Sequence, residues 1–251
     1  VRKDPEYANA FQAVFGKSGK EITMREVTLA IAAFERTAEV NPFSSRFDDF
    51  WRRTQEAGLD VEDVDEDNWE QFKGMGLEDD EVEGLMLFAT QGECAECHVL
   101  TPVDGSPPLF TDFTYDNLGA PRNPDNPFYI QDAEFNPDGD RWVDKGLGGF
   151  LEGIPEYQQY AAENIGKYKV PTLRNVDKRP SPDFAKAFLH NGFLKTLKEV
   201  VHFYNTRDLE EEGWPAPEIE ANVNTEELGD LGLTEEEEDL IVLFMKTLTD
   251  R

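Results

Sequence analysis

The apolar positions of this chain fall into helical stripes separated by long polar stretches. Between Glu6 and Phe15, the residues Tyr7, Ala10, Phe11, Val14 and Phe15 share one helical face, and Gly16 and Gly19 end the pattern. Thr23-Met24-Arg25-Glu26 has the form of a capping box, in which hydroxyl and carboxylate satisfy free backbone donors. Val27, Ala30, Ile31, Phe34 and Ala38 follow at helical spacing until Asn41-Pro42. Phe43, Phe47, Phe50 and Trp51 predict a short helix that packs back on its predecessor. A helix over Asp79 to Thr90 carries Val82, Leu85, Met86 and Ala89 on one side. Another, Lys195 to Tyr204, aligns Leu197, Val200, Val201 and Tyr204 and leaves His202 off the stripe. A second capping box, Thr234 to Glu237, opens a last helix through Leu240, Ile241, Phe244 and Leu248.

The intervening stretches are of two kinds. Residues 56–83 hold 13 acids and a single base, Lys73, with Trp69 and Phe72 as anchors, which reads as a solvated loop. Residues 208–239 hold 14 acids and no base. From Thr101 to Lys167 periodicity fails, and prolines and glycines alternate. A loop of that length in a compact domain is usually functional or wraps a ligand. Phe110, Phe113, Tyr115 and Leu118 are expected to form its apolar wall. No alternating strand pattern and no repeat is visible, so the expected fold class is all-α, mostly helical with long irregular loops.

Composition adds bounds. At 251 residues and 39% hydrophobic content the chain can bury a core, as one large domain or two small ones. The net charge of -29 argues against nucleic acid or an anionic membrane as partner. It fits either a face that steers a basic partner or a general acidic surface. No run approaches the length of a membrane span. The chain opens on Val1 without a signal peptide, as a processed product or a fragment would.

The chemistry is concentrated at Cys94-Ala95-Glu96-Cys97-His98, which has the spacing of a c-type haem attachment motif. Two thiols three positions apart reach the two vinyl groups of one haem, and the adjacent imidazole meets the iron. A zinc site would need further soft ligands, but Cys94 and Cys97 are the only cysteines and only His190 and His202 remain. A redox C-x-x-C would follow a strand in a βαβ pattern, which is absent. Haem thioethers are made outside the bacterial cytoplasm, which points to the periplasm. The group opposite His98 decides between electron transfer and open-site chemistry. Met24, Met75, Met86 and Met245 all lie in helical patterns. His190 lies in a turn between apolar segments. Tyr204 points inward and brings a phenol oxygen, either as an iron ligand or as a buried, hydrogen-bonded hydroxyl.

Four segments, in this order, resemble the bacterial di-haem cytochrome c peroxidase and MauG family. They are Ala30-Ile31-Ala32-Ala33-Phe34-Glu35-Arg36-Thr37, the haem motif after Gly84-Leu85-Met86-Leu87-Phe88, Val170-Pro171-Thr172-Leu173-Arg174-Asn175-Val176, and His190-Asn191-Gly192. Thr196 to Tyr204 and Leu231-Gly232-Leu233-Thr234 extend the likeness. The resemblance implies two helical, cytochrome c-like domains with one haem each, the first peroxidatic and the second receiving electrons. It implies that Cys94, Cys97 and His98 belong to the carboxy-terminal haem, with Tyr204 as sixth ligand and Arg174 and His190 beside it. Residues 1–78 would then be the end of an amino-terminal domain, and 79–251 the haem domain. The family's first C-x-x-C-H has no counterpart in these residues. Asp177 to Phe188 looks expanded, so the calcium site between the haems has no ligands to name here. The implied partners are a small donor cytochrome or cupredoxin and a second haem domain or a homodimer. The implied activity is peroxide reduction, and the alternative is a mono-haem carrier or docking subunit of a larger respiratory or photosynthetic assembly.

Overall fold

A computed structural model describes residues 3–181, 183–184 and 186–251. The chain separates into two compact units, Val1–Phe43 and Ser44–Arg251. The sequence reading divided it at 78/79 instead.

The smaller unit holds α1 (Pro5–Phe15) and α2 (Met24–Glu35). Asp4 caps α1 by accepting from the Glu6 amide at 2.9 Å, and Gly16 ends it in the left-handed region. The Thr23–Glu26 box forms as expected, with Thr23 N donating to Glu26 Oε2 at 2.8 Å. The second helix stops at Glu35, before Ala38. The Thr37 hydroxyl takes the Phe34 carbonyl at 2.7 Å, and the Asn41 amide takes that of Glu35. The stripes on these helices are not buried as periodicity predicts. Phe11 is buried, but Val14, Ile31 and Phe34 are exposed.

The larger unit is built on α3 (Arg46–Ala57), α4 (Asp79–Ala89), α5 (Gly146–Glu152), α6 (Leu197–Thr206) and α7 (Glu235–Lys246). One core joins α3, α4, α6 and α7. Phe47 of α3, Phe88 of α4, Phe244 of α7 and Phe110 from the long loop meet edge to face, with centroids 5.0–6.2 Å apart. Phe47 and Phe50 both belong to this core. Helix α4 crosses α7 at Gly84, where a Cβ would collide with the Leu240 carbonyl and touch Phe244. Only glycine permits so close an approach of the two backbones.

The structure also contains strands, contrary to the expectation of none. β1 (Tyr115–Asp116) pairs antiparallel with β2 (Tyr168–Lys169), in the register Tyr115–Lys169 and Asp116–Tyr168. Two residues per strand are too few to show alternation. The loop between them contains α5, whose Gly-Leu-Gly-Gly start hid it from periodicity. Buried asparagines tie this loop down: Asn117 Nδ2 donates to the Ile219 and Ala221 carbonyls at 3.0 and 2.8 Å. Asn136 Nδ2 does the same to Phe128 and Gly139. No described helix is long and apolar enough to cross a membrane.

Gly84→Ala should force α4 and α7 apart. A loss of about 1–3 kcal/mol is expected from overpacking, measured as a lower urea midpoint.

Candidate functional site

The C-x-x-C-H segment leaves α4 through a tight turn. Glu93 takes a left-handed backbone at φ +50°, and a 3-10 turn, Cys94–Glu96, follows. Gly92 gives the turn its room. A Cβ there would lie 2.8 Å from the Leu87 carbonyl and 3.4 Å from Cys94 Sγ. The His98 amide closes the turn on the Cys94 carbonyl at 2.9 Å.

The ring of His98 is buried, and its Nδ1 lies 2.9 Å from the Phe110 carbonyl. A carbonyl only accepts, so Nδ1 carries the proton and Nε2 keeps its lone pair. Burial holds the imidazole below its ordinary pKa, against the opposing pull of the Phe110 carbonyl, the Asp112 charge and the Pro171 carbonyl. The ring is thus neutral, as a metal ligand must be. Phe110 presents its carbonyl from a left-handed backbone, φ +54°, with its ring wholly buried.

Arg174 supports this arrangement from behind. Its Nη1 pairs with Asp48 Oδ1 at 2.6 Å and its Nε donates to the Pro108 carbonyl at 2.9 Å. The guanidinium lies 5.7 and 5.6 Å from the Phe47 and Phe110 rings. Asp48 Oδ2 meanwhile caps α3 through the Ser45 amide at 2.8 Å. Arg174 lines neither cavity described below. It holds the loop whose carbonyl orients His98.

Cys94 and His98 line an apolar cavity of about 50 Å³ together with Tyr204. Phe88, Leu173, Val200, Val201, Ile241 and Met245 form much of its wall. Burial, followed by the neighbouring thiols, pushes the Tyr204 phenol above its ordinary pKa. The Cys94 thiol is pushed up to about 12 by burial. Cys97 reaches about 12 by burial and then the charge of Glu227, whose Oε2 lies 3.8 Å from Sγ. Both cysteines are free thiols. Cys94, His98 and Tyr204 bring a protonated thiol, a neutral imidazole and a phenol to these apolar walls, while Cys97 lies outside the lining, its Sγ grouped with Asp116 and Glu227. With both thiols in the C-x-x-C-H turn, the donors fit a haem c. The volume, about that of one or two waters, is too small for the macrocycle alone.

Of the four aromatic and aliphatic residues expected to wall the site from the long loop, none lines this cavity. Phe110 enters the core, while Phe113 and Tyr115 are exposed. His190 lies outside it as well. Its ring stacks on Tyr168, with centroids 3.5 Å apart and planes 8° from parallel. It lines a second cavity of about 450 Å³ that shares Leu173, Val200 and Met245 with the first. His202 is off the stripe as read, but it does not simply face solvent. Its Nδ1 lies 2.9 Å from Glu238 and its Nε2 3.3 Å from Glu212. The structural role of Arg174 was not readable from sequence, because Asp48 and Pro108 lie far from it along the chain.

Fold and motif together define the class: a helical domain with a C-x-x-C-H turn, the spacing of a c-type haem motif, beside an apolar cavity. A sequence profile of the family described as di-haem cytochrome c peroxidase matches residues 1–56. Methylamine utilization protein MauG of Paracoccus denitrificans (strain Pd 1222) is 30% identical, over all of this chain and 59% of its own length. Cytochrome-c peroxidase IdrP1 of Denitromonas iodatirespirans is 29% identical, over 99% of this chain and 56% of its own. The crystal structure of the diheme peroxidase BthA from Burkholderia thailandensis E264 superposes with a TM-score of 0.68 at 28% identity. It covers 96% of this chain and 55% of that one. The chain belongs to the di-haem cytochrome c peroxidase and MauG family. It spans a little over half the length of these relatives.

Arg174→Gln should leave the Asp48 carboxylate buried without its counter-charge. A loss of about 3–5 kcal/mol is expected, read from urea unfolding, and a loss under about 1 kcal/mol would show that the pair is not a determinant of the fold.

Proposed function

We propose that residues 44–251 form the electron-transfer haem domain of a di-haem peroxidase system, acting in the periplasm. Residues 1–43 would be the end of an amino-terminal haem domain. This is a shorter piece than 1–78, since α3 gives Phe47 and Phe50 to the core of the larger unit. One haem would be held on this chain through Cys94, Cys97 and His98. A calcium ion, if the system uses one, would belong to the boundary with the other haem domain. The observation that carries this reading is that Cys94, His98 and Tyr204 line one apolar cavity.

Bound haem supplies a one-electron ferric/ferrous couple. The residues do the rest. His98 approaches as a neutral ring in a fixed tautomer, held by the Phe110 carbonyl. Tyr204 offers its phenol oxygen from α6 and, with its raised pKa, keeps its proton unless a cation replaces it. The apolar walls exclude water and lower the local dielectric, which strengthens every interaction inside. Electrons would arrive from a small donor cytochrome or cupredoxin, drawn by the charge of -29. They would pass to a second haem, where peroxide is reduced. A carrier or docking role without peroxidase activity is the weaker reading, because the named relatives are peroxidases and MauG.

Intact mass of the chain, expressed where haem c is attached, should show one haem; its absence would refute the assignment. Tyr204→Phe should change the ferric absorption spectrum markedly, and an unaltered spectrum rules the phenol out as ligand. Reduction by a basic cytochrome should slow by about tenfold or more between low and physiological salt. A flat salt profile would show that the acidic surface steers nothing.

A further inference from the structure

A haem carries two carboxylates, ionised at neutral pH, and apolar walls penalise an unpaired carboxylate. The cavity beside Cys94 and His98 offers no cation. It is also too small for the macrocycle, so the group must extend into adjoining space. The second cavity adjoins it through Leu173, Val200 and Met245.

The lining of that second cavity runs against the composition of the chain. Acids outnumber lysine and arginine 53 to 24, yet the described residues around it include Lys169, Lys186 and His190 and no acid. Neither lysine makes an ion pair among the described residues. Lys186 Nζ donates to the Asn175 carbonyl at 3.4 Å and to that of Val176. Lys169 Nζ donates to the Val170 carbonyl at 3.1 Å and sits 4.8 Å from the Phe113 ring centroid. Burial lowers the pKa of Lys186, helped by Arg179 and opposed by the charge of Asp177, which makes no ion pair with it. His190 is pushed down to about 4 by burial and stays a neutral donor, braced on Tyr168.

We propose that this second cavity is the carboxylate site of the haem, with Lys169 and Lys186 as the cations that receive the propionates. The assignment rests on the haem reading above and adds two binding residues to it. The lysines offset the propionate charge near the iron, and removing them should favour the ferric state. β2 positions Lys169, which ties the site to the β1–β2 pairing.

The test uses the haem-loaded chain and its variants Lys169→Met, Lys186→Met, the double variant and the corresponding lysine-to-arginine changes. Haem content comes from intact mass, and the midpoint potential from equilibrium redox titration. The expected result is unchanged haem content, a downward shift of the potential in each methionine variant, a larger shift in the double variant, and recovery with arginine. Because Lys186 also bonds backbone carbonyls, thermal unfolding is followed in parallel, and Lys169→Met, on the more exposed residue, is the cleaner arm. An unchanged potential in a haem-loaded double variant overturns the assignment. So does a saturable shift of the wild-type potential by inorganic phosphate at fixed ionic strength that disappears in the double variant, since the lysines would then be open to solution anions. A wild-type chain that carries no haem at all overturns the haem reading itself.

Discussion

The buried pair between Asp48 and Arg174 is the interaction on which the larger unit depends. Taking two charges out of water costs more than their attraction returns, unless every remaining donor and acceptor is also met. Here one carboxylate oxygen caps α3 and the other receives the guanidinium, which also reaches the Pro108 carbonyl. Those bonds fix the start of α3, the loop before Phe110 and the loop after Leu173 relative to one another. His98 is oriented by the Phe110 carbonyl, so the orientation of its ring is set in part by a pair that lines no part of the cavity.

The aromatic core works on the same elements by a different force. Phe47, Phe88, Phe110 and Phe244 come from three helices and one loop, and their edge-to-face contacts leave little freedom for any of them. Burial of each ring is worth about 1.5–3 kcal/mol, enough to hold Phe110 in a backbone region that bulky residues avoid. The close crossing of α4 and α7 at Gly84 sets the distance from which the C-x-x-C-H turn departs. The placement of the C-x-x-C-H turn, the orientation of His98 and helix packing thus depend on one core.

Much of this was legible in the sequence, and for physical reasons. Helix periodicity and the boxes at Thr23 and Thr234 are local signals, and those helices formed within a few residues of expectation. The C-x-x-C-H spacing is local too. What escaped depended on distant pairs. The pairing of Arg174 with Asp48, 126 residues away, leaves no local trace in the sequence. The strands are two residues long and leave no pattern. Val14, Ile31 and Phe34 have the periodicity of a buried face and are exposed, because periodicity states which residues share a side and not what covers it. The acid-free cavity joins Lys169, Lys186 and His190 only once the chain is folded.

The knot that joins the two ends of the larger unit also bears on how it folds. The Ser44 amide donates to Asp250 across 206 positions, Asn175 bonds Asp250 across 75, and Arg174 reaches Asp48 across 126. Contacts so far apart in sequence must overcome loop-closure entropy before they return any stability, which favours their late formation. The turn at Cys94 to His98 closes on itself over four residues. Local closure favours presentation of the two thiols by an ordered turn while the chain around them is still open, whereas fixing the ring of His98 requires the distant contacts of Phe110 and Arg174.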